Sequence, residues 1–119
     1  MPNISGRSKI ILQPEDTKVG IKIKVPAASS TNSNDGYIAY GLTVSGVATT
    51  IYDADGTDVT SDMVYAGPAV TEDGVYVTIE LQYPTTNGDG RYTLSHLLTL
   101  SDGGTRELDF SRIYAKDLK

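Results

Sequence analysis

The chain has 119 residues, with 15 acidic against 10 basic side chains and a formal net charge of −5 at pH 7. It contains no cysteine, which excludes disulfides, thiol catalysis and thiolate zinc sites, and its acidic balance argues against non-specific binding to DNA phosphates. The length is that of one domain with a core large enough to fold without covalent staples.

The opening residues "MPNISGRSKI" hold no apolar stretch of the signal-peptide kind, and no apolar run approaches the roughly 20 residues of a membrane span. Residues 1–7 read as a loose N-terminal segment, and synthesis in the cytoplasm is the expectation. A first short strand is expected at 8–12 ("SKIIL"), ended by "QPED". "KVGIKIKV" (18–25) then alternates strictly, with Val19, Ile21, Ile23 and Val25 on one face and Lys18, Lys22 and Lys24 on the other, the period of a half-buried strand. The polar stretch 26–36 is the longest loop and the expected site of mobility. Strands follow at 37–45 ("YIAYGLTVS") and 47–53 ("VATTIYD"), and a further one at 62–66 ("DMVYA").

Two more segments alternate over their whole length. "GVYVTIELQY" (74–83) turns Val75, Val77, Ile79, Leu81 and Tyr83 inward, and "RYTLSHLLTL" (91–100) does the same with Tyr92, Leu94, His96, Leu98 and Leu100. A last strand is expected at 105–115 ("TRELDFSRIYA"). No stretch of 11 to 18 residues has helical periodicity. Seven or eight short antiparallel strands with turn signals between them predict an all-β sandwich or barrel. "GDGRYTLSHL" (88–97) favours the sandwich: Gly90 stands two residues before Tyr92 and Leu94 two after it, the spacing of the tyrosine corner of immunoglobulin-like domains.

"IYDADGTDVT" (51–60) crowds three aspartates around Gly56 and invites a calcium reading. An EF-hand loop needs oxygen ligands at positions 1, 3 and 5, glycine at 6 and a bidentate glutamate at 12. Counting from Asp53, those last three positions hold Thr57, Asp58 and Val64, so the pattern fails where the site would bind. Asp55-Gly56 instead predicts a two-residue type I′ hairpin turn, and Asp102-Gly103-Gly104 a second hairpin.

Few residues offer chemistry. His96 shares its inward phase with four apolar neighbours and reads as a core histidine with a satisfied hydrogen bond. Ser95, on the opposite face, cannot meet it as nucleophile. Glycines 88, 90, 103 and 104 precede no helix and so form no phosphate cradle. The lysine row reads as a solubilising outward face rather than an anion stripe. The outward tyrosines Tyr52 and Tyr76 are the candidate interaction surface, able to anchor a protein contact or stack on a sugar ring. The sequence therefore predicts a non-enzymatic domain with no cofactor, no metal site and no catalytic residue.

Four stretches carry a family resemblance: "KIILQPEDT" (9–17), "IYDADGTDVTSDMV" (51–64), "IELQYP" (79–84) and "GRYTLSHLLTLSDGGTRELDF" (90–110). Through them, over about residues 8–115, the chain resembles small immunoglobulin-like proteins encoded among the structural genes of tailed bacteriophages. The resemblance implies an immunoglobulin-like β-sandwich that serves as a virion-associated or assembly component. Its implied partners are other phage structural proteins or further copies of itself, without nucleic acid or membrane. It supplies no site residues, and head, neck and tail are all compatible with it. The alternative reading is a carbohydrate- or cell-surface-binding module using surface glycans.

Overall fold

The alternation that marks residues 18–25, 74–83 and 91–100 is carried into three strands of the structure, a computed structural model that describes residues 9–31, 36–71 and 73–117. The segment 1–7 and the middle of loop 26–36 lie outside the described residues. In chain order the elements are β1 (Ile10–Leu12), β2 (Val19–Lys24), β3 (Val44–Tyr52), α1 (Thr60–Met63), β4 (Val64–Val70), β5 (Tyr76–Leu81), β6 (Gly90–Leu100) and β7 (Thr105–Ala115). They build two sheets, ordered β1-β7-β6-β3 and β2-β5-β4. This is an immunoglobulin-like sandwich: β3, β6 and β7 take the places of strands C, F and G, and β2, β5 and β4 those of B, E and D.

One pair departs from the expected antiparallel arrangement. β1 lies parallel to β7, with Ile10 opposite Ile113 and Leu12 opposite Ala115. The chain leaves it through a turn in which the Asp16 N–H donates to the Gln13 carbonyl and the Asp16 carboxylate accepts the Gln13 N–H at 2.7 Å. That turn moves the chain from the four-stranded sheet to β2 of the other, so β1 and β2 never pair.

Two apolar clusters fill the space between the sheets. One gathers Leu12, Ile21, Ile51, Met63, Leu81 and Tyr92 among others; the second is built on Val25, Ile38, Val44, Val77, Leu98 and Leu100. β6 feeds both. Its five inward residues, Tyr92, Leu94, His96, Leu98 and Leu100, are all buried, in the phase the sequence predicts.

Elsewhere the structure corrects local expectations. Residues 37–43 are not a strand: Ile38 makes an isolated bridge to Ala27, and the chain turns at Gly41 (φ +81°) with the Leu42 N–H on the Ala39 carbonyl. The expected strands 37–45 and 47–53 thus become the single β3, entered late and interrupted by a bulge between Val44 and Gly46. Asp62 and Met63 belong to the one-turn α1 rather than to a strand, and β4 begins after them. Met63 is fully buried, which anchors this crossing between the sheets.

The Asp55-Gly56 turn also differs. Only Gly56 has positive φ (+86°); its N–H donates to the Asp53 carbonyl, and the Asp53 N–H donates to the Thr57 carbonyl. The loop is three residues long with glycine in the left-handed position, the alternative to a type I′ turn. Asp102-Gly103-Gly104 follows the same plan, with Gly103 at φ +89° and Leu100 paired to Gly104; it joins β6 to β7 as the expected hairpin.

Candidate interaction face

Tyr92 shows how the loops are fixed. It is buried, and its hydroxyl donates to the Gly88 carbonyl at 2.7 Å, the tyrosine corner that its spacing from Gly90 predicts. Burial, followed by the charges of Asp62, Asp53 and Asp89, raises its pKa. Beside it the Asp62 carboxylate accepts the N–H of Thr86 and both the backbone and side-chain N–H of Asn87, the last two at 2.9 and 2.8 Å.

The aspartates around Gly56 are similarly occupied. Asp53 Oδ1 accepts the N–H groups of Asp55 and Thr57, each at 2.9 Å. Asp58 Oδ1 accepts the Thr60 hydroxyl at 2.6 Å and its N–H at 3.0 Å, bonds that hold its pKa below the ordinary value. These carboxylates cap backbone N–H groups of the turn and of α1. Among the described residues no group of three or more His, Cys, Asp and Glu is placed to share a metal ion.

His96 has no access to solvent. Its Nδ1 is 2.6 Å from the Thr49 hydroxyl, while Nε2 has no partner among the described residues, so the expected hydrogen bonding is met at one ring nitrogen only. Burial pushes its pKa down to about 4, which keeps the ring neutral near pH 7. Ser95 faces the other way, with its hydroxyl 3.4 Å from Glu107 Oε1. Neither residue meets the geometry of a nucleophile and base.

Three of the four sheet edges offer little room for pairing, and the fourth, β4, is broken by two register shifts and holds Pro68, which has no N–H to donate. β1 is three residues long, and β2 carries Lys22 and Lys24, a charge pattern that discourages edge association. β3 is covered near both ends: the Val44 N–H donates to the Gly74 carbonyl, the Ile51 carbonyl accepts from Val59, and the Ile51 N–H donates to the Thr60 hydroxyl. The outer face of the four-stranded sheet is open.

Register builds that face in rows. Ala48 stands opposite Leu97, and Leu97 opposite Glu107; Thr50 stands opposite Ser95, and Ser95 opposite Asp109; Tyr52 stands opposite Thr93. These eight residues line one shallow groove. Its floor is small and hydroxylated, its wall on β7 carries two carboxylates, and Leu97 and Tyr52 stand at its two ends, 48 % and 37 % exposed.

Of the two tyrosines the sequence puts forward, only Tyr52 belongs to this groove. Tyr76 lies on β5, in the other sheet, half-buried, with the Lys22 ammonium 4.1 Å from its ring centroid. The structure therefore places them on opposite faces, and the cation over Tyr76 occupies a ring face that a sugar would need. Leu97, Glu107 and Asp109 were not singled out from the sequence. The available signal was a leucine in the outward phase of 91–100.

No protein-family model, no curated protein and no solved structure matches the chain. No helix among the described residues is long and apolar enough to cross a membrane.

Proposed function

We propose that this protein is a non-enzymatic structural and interaction module of a tailed-bacteriophage particle or its assembly pathway, made in the bacterial cytoplasm and carried into the virion. The observation that supports a binding role is the uncovered groove, with Leu97 and Tyr52 standing over a floor of small residues. The phage context rests on the resemblance of residues 8–115. A protein that acts through such a face needs no preformed catalytic group, and many copies on a particle make a weak contact effective through local concentration.

Mass spectrometry of purified particles tests the reading, with the protein expected among their components. Tyr52→Ala is expected to reduce its incorporation while leaving the fold intact, since tyrosines carry a disproportionate share of contact energy, and Leu97→Ala to reduce it less. Tyr76→Ala is expected to act less, because Lys22 already covers that ring. Absence of the protein from particles at every assembly stage overturns the proposal.

The groove also favours one second reading. Tyr52 beside Thr50, Thr93, Ser95, Glu107 and Asp109 combines an aromatic ring with hydroxyl and carboxylate groups, the chemistry that grips a sugar. Binding on a glycan array that is lost in both Tyr52→Ala and Asp109→Ala would move the assignment to a carbohydrate-binding module.

A further inference from the structure

The two outer faces of the sandwich carry different charge patterns, a lysine pair on one, with Glu80 of β5 and Asp73 near it, and a carboxylate pair on the other. On the three-stranded sheet, Lys22 and Lys24 of β2 point outward at alternate positions, opposite Thr78 and Tyr76 of β5. On the four-stranded sheet, Glu107 and Asp109 of β7 point outward at alternate positions, opposite Leu97 and Ser95 of β6. Alternate residues on a strand are about 6.6 Å apart, so the two lysines and the two carboxylates have the same spacing.

We infer that the groove takes the lysine-bearing outer face of a second copy of this chain, with β2 of one copy lying over β7 of the next. This rests on the groove being the contact surface and names its occupant. Lys22 and Lys24 then meet Glu107 and Asp109 two for two. The match holds in either strand direction, because both pairs sit at alternate positions. In one of the two directions β5 then lies along β6, bringing Tyr76 and Thr78 over Leu97 and Ser95; in the other it lies along β1. The lysine pair on one sheet and the carboxylate pair on the other make each copy complementary to the next, with Asp73 competing for Lys22 within the chain. Such a contact is heterologous: it does not end at a dimer but propagates into a ring or an open stack.

Charge reversal on the full chain tests this. In sedimentation velocity over a concentration series, the wild-type protein is expected to form species larger than a monomer as concentration rises. The double variant Lys22→Glu/Lys24→Glu and the double variant Glu107→Lys/Asp109→Lys are each expected to associate more weakly by about tenfold or more, as loss of paired charges at a contact implies. Mixing the two is expected to restore association, because every contact in the mixture again joins lysines to carboxylates. A wild-type protein that stays monomeric throughout, or variants that associate as strongly as it does, overturns the inference. If either variant fails to fold, amide chemical shifts of the wild type on dilution decide: changes confined to Lys22, Lys24, Leu97, Glu107 and Asp109 and their neighbours support it, and changes elsewhere or none overturn it. A monomeric protein that is nevertheless found in particles and loses incorporation with Tyr52→Ala leaves the interaction reading standing and removes only self-stacking.

Discussion

The two ends of the sandwich are held in different ways. At the end that carries the tyrosine corner, side chains do the fastening: Tyr92 bonds Gly88, Asp62 holds Thr86 and Asn87, Asp16 holds Gln13, and the Tyr83 hydroxyl donates to Asp89. At the opposite end backbone bonds join the loops directly, with hydroxyl groups beside them and Asp73 accepting from Thr71 and Val75. Gly74 accepts from Val44, Ser101 donates to the Thr43 carbonyl and its hydroxyl accepts the Thr43 N–H, Ala28 bonds Ile38, and the Tyr37 hydroxyl donates to the Glu107 carbonyl, with the Arg106 guanidinium 4.3 Å over the Tyr37 ring. The aspartates of the corner end spend oxygens on N–H groups of the loops: Asp62 on Thr86 and Asn87, Asp53 on Asp55 and Thr57. Acidic density at a loop cluster is evidence of capping before it is evidence of metal.

The largest expected effect tests the corner. Tyr92→Ala removes a buried ring from the first cluster and its tie to Gly88, at a cost of about 3–5 kcal/mol, measured by urea unfolding. Tyr92→Phe keeps the ring and loses one hydrogen bond, at roughly 0.5–1.5 kcal/mol. Equal and small effects would show that the corner end is fastened by other bonds.

His96 lies at the boundary between the two clusters and answers to pH. In the folded protein it stays neutral to about pH 4, whereas the unfolded chain takes up its proton near 6.5. The unfolded state binds more protons between those values, so stability is unaffected above pH 6.5 and falls as pH drops toward 4, by about 3 kcal/mol in all. Thermal unfolding of the wild type against His96→Leu isolates the contribution, and a slope in this window that survives the substitution argues against it.

At the end opposite the corner, Gly74 is the sensitive point. Its φ is +67°, and a Cβ there would stand 2.7 Å from the Thr43 Cβ and 3.1 Å from the Val44 carbonyl. Gly74→Ala is expected to cost about 1–3 kcal/mol through this clash and backbone strain, with the added loss of amide protection at Val44 in hydrogen exchange. A neutral substitution would mean that the loop end can shift where the corner end cannot.

The smallest effect returns to the corner. Burial opposes ionisation of Asp62, but the bonds from Asn87 and Thr86 outweigh it and hold the pKa below 3.8. Asp62 therefore stabilises the fold above that value, and the contribution fades as pH falls below it. Asp62→Asn is expected to cost about 1 kcal/mol near pH 7, and the difference from wild type should shrink in acid. A difference that is constant with pH would assign the effect to shape rather than charge.

Local chemistry settled much of this molecule in advance. A period of two fixes which side chains of 18–25, 74–83 and 91–100 enter the core, and the five buried residues of β6 follow that rule without exception. Gly56 and Gly103 mark turns because they tolerate positive φ, and Tyr92 stands where its hydroxyl reaches Gly88. These features depend on neighbours within a few residues. What the chain alone did not reveal depends on partners far along it. The parallel seat of β1 beside β7, the replacement of residues 37–43 by a loop that sends Ile38 into the core, and the rows joining Ala48, Leu97 and Glu107 are decided by which distant segments pack together. An outward leucine has no assigned neighbour until strand register supplies one. A strand's faces follow from its own alternation, but a surface made of three strands exists only after the core has fixed their order and offset.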